Sequence, residues 1–265
     1  MLRCPICRHA LAGDGPLTCE SCGRSYPVVE GIPRLLDETA SGAIEKAREA
    51  EGWAAMARAQ GWYEPDDAVD AALPYVCRDL GWDDRAWRGN EHSFGLLLGR
   101  LRPGFRVLEV GAAKCWGAPH VIEAGCTYVA TDILVDPKIG LARGAFYEKR
   151  VGPFLRVQAD GESLPFADGA FDVTYCVATL HHALDLRRMV DEMARVTRRG
   201  GYVLALNEGT RALQRSGDAP DQAEERRYGI NEHVHTLYAY LRSSAWSGAS
   251  PDRCRARVPS FRAST

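Results

Sequence analysis

From Arg102 onward the chain alternates short apolar runs with stretches of helical period. FRVLEV (105–110), TYVATDI (127–133), FLRVQAD (154–160), FDVTYCV (171–177) and GYVLALNE (201–208) read as strands, and GAPHVIEAG (117–125) and LRRMVDEMARVTRR (186–199) as helices between them. Near-continuous apolar runs suit strands buried on both faces, and a repeated βαβ order calls for a mostly parallel sheet with helices on both sides. Such sheets bind ligands at the carboxyl ends of their strands. Ahead of this region, SGAIEKAREAEGWAAMARAQGW (41–62) is rich in good helix formers and predicts a helix that opens at a Ser and stops near Gly61; a second helix is predicted from Asp84 to Leu101. The expected division is therefore 1–36, a helical linker or cap over 37–100, and the sheet domain over 101–265.

The first 36 residues have no apolar run of their own. They carry instead two Cys-x-x-Cys pairs, Cys4/Cys7 and Cys19/Cys22, eleven residues apart with Gly13, Gly15 and Pro16 in the spacer. Four thiolates in two turns make a closed tetrahedron suited to a structural Zn²⁺ with no open position. So small a segment cannot bury enough surface to fold alone, and zinc worth roughly 10–16 kcal/mol of apparent binding energy substitutes for a core. The remaining five of the nine cysteines are scattered singly, a pattern of reduced thiols and not of a disulfide framework.

Composition narrows the classes. With 265 residues, 46% of them hydrophobic, the chain supports one large domain plus a small one. A net charge of −2 gives no global basic field for nonspecific RNA or membrane binding. No run approaches a membrane span, and MLRCPICRHA has cysteines and arginines where a signal peptide needs an apolar run, so the expected address is the cytoplasm. Four of the six tryptophans (Trp53, Trp62, Trp82, Trp87) fall in 37–100, with Tyr63 and Tyr75. Since aromatics dominate core packing, the first expectation is that they fasten the helices to the sheet domain; the other is that they line an acceptor pocket.

The loop after the first sheet strand, LEVGAAKCWG (108–117), decides which nucleotide is expected. A dinucleotide loop needs Gly-x-Gly-x-x-Gly so that backbone can approach a pyrophosphate. Here Gly111 and Gly117 stand at the wrong separation, and Glu109 would repel a pyrophosphate. A phosphate-free cofactor with a cationic sulfonium, S-adenosylmethionine, tolerates both. Asp132 ends the second strand, twenty-three residues after Glu109, where an acid can accept from both ribose hydroxyls; Asp160 ends the third, where it can accept from the adenine amino group while Leu164 or Phe166 packs nearby.

Two resemblances follow from these residues. With its Cys pairs, Tyr-Pro and Gly-Ile-Pro order, 2–36 resembles the small zinc-ribbon family that includes the activator of tRNA and protein methyltransferases. VLEVGAAKCWG, VATDI, QADGESLPFADGAFDVTYCVATLHH and MARVTRRGGYVLALNE resemble the class I S-adenosylmethionine-dependent methyltransferases over about residues 100–210. That resemblance implies a Rossmann-like sheet and cofactor contacts at Glu109, Gly111, Asp132, Asp160, Gly161 and Glu162, with Ala113, Cys115, Ile133 and Val177 beside them. Ala113 and Cys115 replace two glycines of that family, and Cys115 would put a thiol near the methionine end. The family's sheet closes with two further strands; CRARVPS (254–260) can supply one and FRAST is short for another, so a shortened C-terminal part is expected.

Methyl transfer requires alignment more than a nucleophilic residue. If the acceptor is a hydroxyl or amine a base helps, and His181, His182 and Glu208 lie after the fourth and fifth strands. His233 and His235 are candidates to cap the acceptor. The expected function is methyl transfer from S-adenosylmethionine to a small molecule. The alternatives are an RNA or a translation protein as acceptor, suggested by the ribbon, and a methyltransferase-fold binding protein without activity.

Overall fold

A computed structural model describes residues 1–209, 223–230 and 239–240. The C-terminal strands expected from CRARVPS and FRAST, and His233 and His235, lie outside the described residues.

Five strands form the main sheet: β6 (Arg106–Val110), β7 (Thr127–Asp132), β8 (Leu155–Gln158), β9 (Phe171–Val177) and β10 (Thr197–Leu206), all parallel, in the order β10-β9-β6-β7-β8. Each was expected from its apolar run, although β10 begins at Thr197, inside the stretch 186–199 expected as helix. Since the chain runs outward from β6 in one direction through β7 and β8, and returns on its other side as β9 and β10, the order reverses between β6 and β9. Loops leave the two neighbours in opposite directions there, which opens a crevice at their carboxyl ends.

Alternate side chains of each strand feed two cores. Val107, Tyr128, Val173 and Tyr175 face helices α3 (Val76–Asp79), α4 (Arg85–Leu98), α5 (Ala118–Glu123) and α6 (Gly144–Val151). Leu108, Val129, Val157 and Cys176 face α7 (Leu186–Val196), whose buried Leu186, Met189, Met193 and Val196 recur at helical spacing. Asp185 caps α7 by accepting from the Arg188 N–H at 3.0 Å, and Asp84 caps α4 by accepting from Trp87 at 2.9 Å. α4 ends at Leu98, earlier than the apolar run to Leu101 suggests.

The helix expected over 41–62 is α1 (Ala43–Gln60), and Gly61 ends it in the left-handed region at φ 80° with its N–H on the Ala57 and Arg58 carbonyls. Its N-cap is Gly42, and no side chain caps it, so Ser41 does not play that part. The cap is completed by α2 (Asp67–Ala72), started by Asp66 accepting from Ala68 and Val69. A short α8 (Ala223–Arg227) follows the sheet, and the turn after it packs on α1: a Cβ added to Gly52 would lie 2.2 Å from the Tyr228 carbonyl oxygen.

The N-terminal segment folds as a three-stranded antiparallel meander, β1 (Leu11–Ala12), β2 (Leu17–Cys19) and β3 (Ser25–Tyr26), then a hairpin of β4 (Val28–Val29) and β5 (Ile32–Pro33). It is not a bead on a tether. Cys4, Cys19, Tyr26 and Leu35 are buried in the same core as Leu164, Phe166 and α7. Arg34 pairs with Gln158, and the Leu35 N–H donates to the Gln158 carbonyl at 2.8 Å, so the segment covers the β8 edge that would otherwise stand open. Arg8 donates to the Leu164 carbonyl and pairs with Glu192 of α7, both at 2.9 Å.

Candidate functional site

The crevice between β6 and β9 opens into a cavity of about 890 Å³, roofed by the 37–100 helices. Ligand pockets run roughly 300–1,000 Å³, so this one has room for a nucleoside and a second small molecule together.

Its floor is the loop after β6. Gly111 turns it at φ 72°, where a Cβ would lie 2.3 Å from the Thr179 methyl; only glycine fits. Ala113 and Cys115 keep left-handed backbones, at φ 41° and 65°, although neither is glycine. Asp132 fixes the loop: its carboxylate accepts from the Ala113 N–H and from the Leu134 N–H, each at 2.8 Å. Burial pushes the Asp132 pKa up, and those two N–H groups pull it partly back. Glu109 lies beneath the loop, where its carboxylate accepts from the hydroxyls of Tyr128 and, at 2.7 Å, Tyr175. Burial raises its pKa to about 7 against the tyrosines, which lower it.

Glu109, Gly111, Ala113, Asp132, Ile133, Asp160, Gly161, Glu162 and Val177 all border this one cavity. Cys115 does not. Its thiol points behind the loop, fully buried, 3.8 Å from the Ala113 carbonyl and 4.0 Å from that of Leu141, and burial pushes its pKa well up. The expected thiol at the methionine end is thus corrected: a left-handed Cβ at this position is aimed into the core beside Gly144.

Glu208 is a second correction. It is absent from the cavity wall and accepts from the Thr179 N–H at 2.9 Å, the Leu180 N–H at 3.0 Å and His181 Nδ1 at 3.0 Å. Burial alone would raise its pKa, but His181 and the two N–H groups outweigh it and hold it below the usual range. The Cys176 thiol donates to it as well, at 3.6 Å, and an ionised carboxylate with four donors positions His181 and is a poor proton acceptor for anything else. His181 and His182 do border the cavity, their rings 4.1 Å apart.

Sequence reasoning missed the polar groups contributed by the cap. Lys46 of α1 reaches Asp160 at 2.7 Å and Glu162 at 2.8 Å. Glu49, one turn on, lies 2.7 Å from His182 Nδ1, and Trp53 meets the same ring edge-on. Their common spacing, 46, 49 and 53, marks one face of the helix and was the available signal. From α2, the fully buried Asp70 carboxylate pairs with Lys114 of the loop at 3.0 Å and with Arg143 at 2.9 Å. All four cap tryptophans border the cavity, against the first expectation that they only fasten helices; Trp87 also packs on Trp116, 6.4 Å between centroids.

The four sulfurs of Cys4, Cys7, Cys19 and Cys22 lie within 4.8 Å of one another, the one such cluster of potential metal ligands among the described residues. The donor set is that of a closed tetrahedral zinc site.

Comparison with known proteins agrees with this geometry. Residues 108–205 match the methyltransferase domain family, and residues 1–31 match the Trm112p-like protein family. The chain carries a class I methyltransferase domain behind a Trm112p-like ribbon. An uncharacterized methyltransferase of Bacillus subtilis (strain 168) is 34% identical over 130 residues, 47% of this chain and 49% of that protein. Demethylmenaquinone methyltransferase of Mycobacterium marinum is 33% identical over 127 residues, 48% and 50%. The chain thus spans about half the length of these curated relatives. Phosphoethanolamine N-methyltransferase 2 of Haemonchus contortus, solved with phosphomonomethylethanolamine and S-adenosylhomocysteine, shares the fold of the methyltransferase domain: TM-score 0.54 at 16% identity over 85% of this chain and 46% of that one.

Proposed function

We propose that the chain transfers a methyl group from S-adenosylmethionine to a small organic acceptor. The observation that carries this reading is electrostatic. The two lysines of the cavity wall, Lys46 and Lys114, are both engaged by carboxylates, while Asp132 and Asp160 stand at successive strand ends. A pyrophosphate would find acids and no unengaged lysine; a phosphate-free nucleoside with a cationic centre finds acceptors for its hydroxyls and amine.

Asp132, Asp160 and the Gly111–Ala113 backbone would hold the nucleoside, with Ile133 and Val177 against it. The cofactor supplies an activated methyl on a sulfonium, so the protein's own share is alignment, worth up to roughly 7–11 kcal/mol for well-held reactants. His181, oriented by Glu208, and His182 are the groups beside the cavity able to take a proton from an acceptor. The replaced glycines do not argue for an inactive fold, because Cys115 leaves the cavity clear. A small acceptor is favoured by the tryptophan-lined roof, which encloses the space next to the cofactor crevice. No helix among the described residues is long and apolar enough to cross a membrane. The four-cysteine cluster would hold one structural Zn²⁺.

Thermal unfolding with S-adenosylhomocysteine and with NAD tests the reading. A ligand at one hundred times its Kd stabilises by about 2.7 kcal/mol, so the first is expected to raise Tm and the second to leave it unchanged. Stabilisation by NAD alone would overturn the proposal.

A further inference from the structure

Glu49 is 3% exposed, yet it borders the cavity from its α1 side. Among the described residues nothing donates a hydrogen bond to its Oε1: His182 Nδ1 is 2.7 Å away but off the line that a hydrogen bond needs. A buried carboxylate oxygen that receives no hydrogen bond is unfavourable and is relieved by a donor that enters the cavity. The nearest lysine on the same helix face, Lys46, is held by Asp160 and Glu162. Trp53, one turn beyond Glu49, meets the His182 ring edge-on at 5.8 Å between centroids, Trp62 lies 6.5 Å from Trp53, and both indoles line the same cavity as Glu49. Buried carboxylate and indole rings are both groups that attract an ammonium, the first by charge and the second by its π face.

We infer that Glu49 is the acceptor-recognition residue and that the acceptor is an amine carried on an apolar body. This rests on the methyltransferase reading and specifies its substrate class. The balance is simple: the bound ammonium, R–NH₃⁺, gives one proton to an imidazole of His181 or His182 or to solvent, and the freed nitrogen lone pair forms the new N–CH₃ bond. The bonding pair of the old S–CH₃ bond stays on sulfur, which turns from sulfonium into thioether. A carboxylate-bearing acceptor is excluded by the same charge, since it would bury two anions side by side.

Three probes of one shape test the inference by calorimetry on the full zinc-loaded chain: tryptamine, tryptophol and indole-3-propionate, differing only in a cationic, neutral or anionic head. Tryptamine is expected to bind at least about tenfold more tightly than tryptophol, with indole-3-propionate not binding. Glu49→Gln should bring tryptamine and tryptophol to within about twofold of each other, with S-adenosylhomocysteine affinity retained. If the Gln variant does not fold, Glu49→Asp, which keeps the charge but withdraws it, should lower the tryptamine preference in part. Equal binding of the anionic probe, no binding of any probe by the native chain, or full amine preference in Glu49→Gln would overturn the inference. S-adenosylhomocysteine failing to bind the native chain would count instead against the methyltransferase reading, which separates the two.

Discussion

The carboxylate of Asp132 accepts the backbone N–H of Ala113 at 2.8 Å, so the residue that ends β7 holds the loop that follows β6. In the proposed function the same side chain would also accept from the ribose of the nucleoside. Asp132→Ala is therefore expected to lower Tm and to weaken S-adenosylhomocysteine binding by about 1.5–3 kcal/mol, the range for hydrogen bonds to a charged group. Calorimetry and thermal unfolding on the same sample check both. Unchanged affinity would place the nucleoside elsewhere.

Cys115 sits at φ 65°, a conformation that costs a non-glycine residue on the order of 1 kcal/mol, while its buried thiol fills space beside Gly144. In Cys115→Gly the relieved strain and the lost packing oppose each other, so stability should move by less than about 1 kcal/mol. Ligand affinity should not move, because the side chain is not in the cavity wall. The native thiol should also resist alkylation by iodoacetamide until the chain unfolds, as mass spectrometry of labelled peptides would show.

Burial raises the Glu109 pKa from an ordinary 4.5 to about 7. The folded chain then holds a proton on Glu109 through a window in which the unfolded chain has lost it. The stability this proton contributes is fully present below about pH 4.5 and is lost as pH rises through about 7. Urea unfolding of the native chain and of Glu109→Gln across that range should show the difference between them shift in the variant's favour with rising pH. A difference flat in pH would contradict a raised pKa.

Chelation of the ribbon metal should destabilise the whole chain. Cys4 and Cys19 share a core with Leu164 and Phe166, and Ser163 donates to the Pro5 carbonyl at 3.2 Å, so the ribbon cannot unravel without exposing one face of the sheet domain. Metal analysis is expected to give one zinc per chain, and Cys19→Ser should shift a single thermal transition downward. A sheet domain that unfolds at its native Tm after zinc removal would show the two parts to be independent.

The difference between Cys115 and Asp132 shows where sequence reasoning stops. Both stood out in the sequence by position relative to a strand end. For Asp132 that sufficed, because the side chain of the last strand residue is committed to the crevice by the strand itself. For Cys115 it did not: the direction of its Cβ depends on a left-handed backbone in a loop, and nothing in the identity of the residue announces it. The tryptophans differ again, since a large aromatic is equally at home in a core and in a cavity wall, and composition cannot separate the two.

The sequence by itself determined the βαβ order, the position of the loop after the first sheet strand, the acids at its neighbouring strand ends and the paired cysteines. Each of these is written in local periodicity or in short spacing, which act within a few residues. Only the tertiary structure decided that Lys46 meets Asp160 across 114 positions, that Glu49 stands beside His182, and that the ribbon is built into the sheet's own core. Those contacts depend on the angle at which one element packs on another. That angle is set by the summed fit of many apolar side chains, and no short stretch of sequence records it.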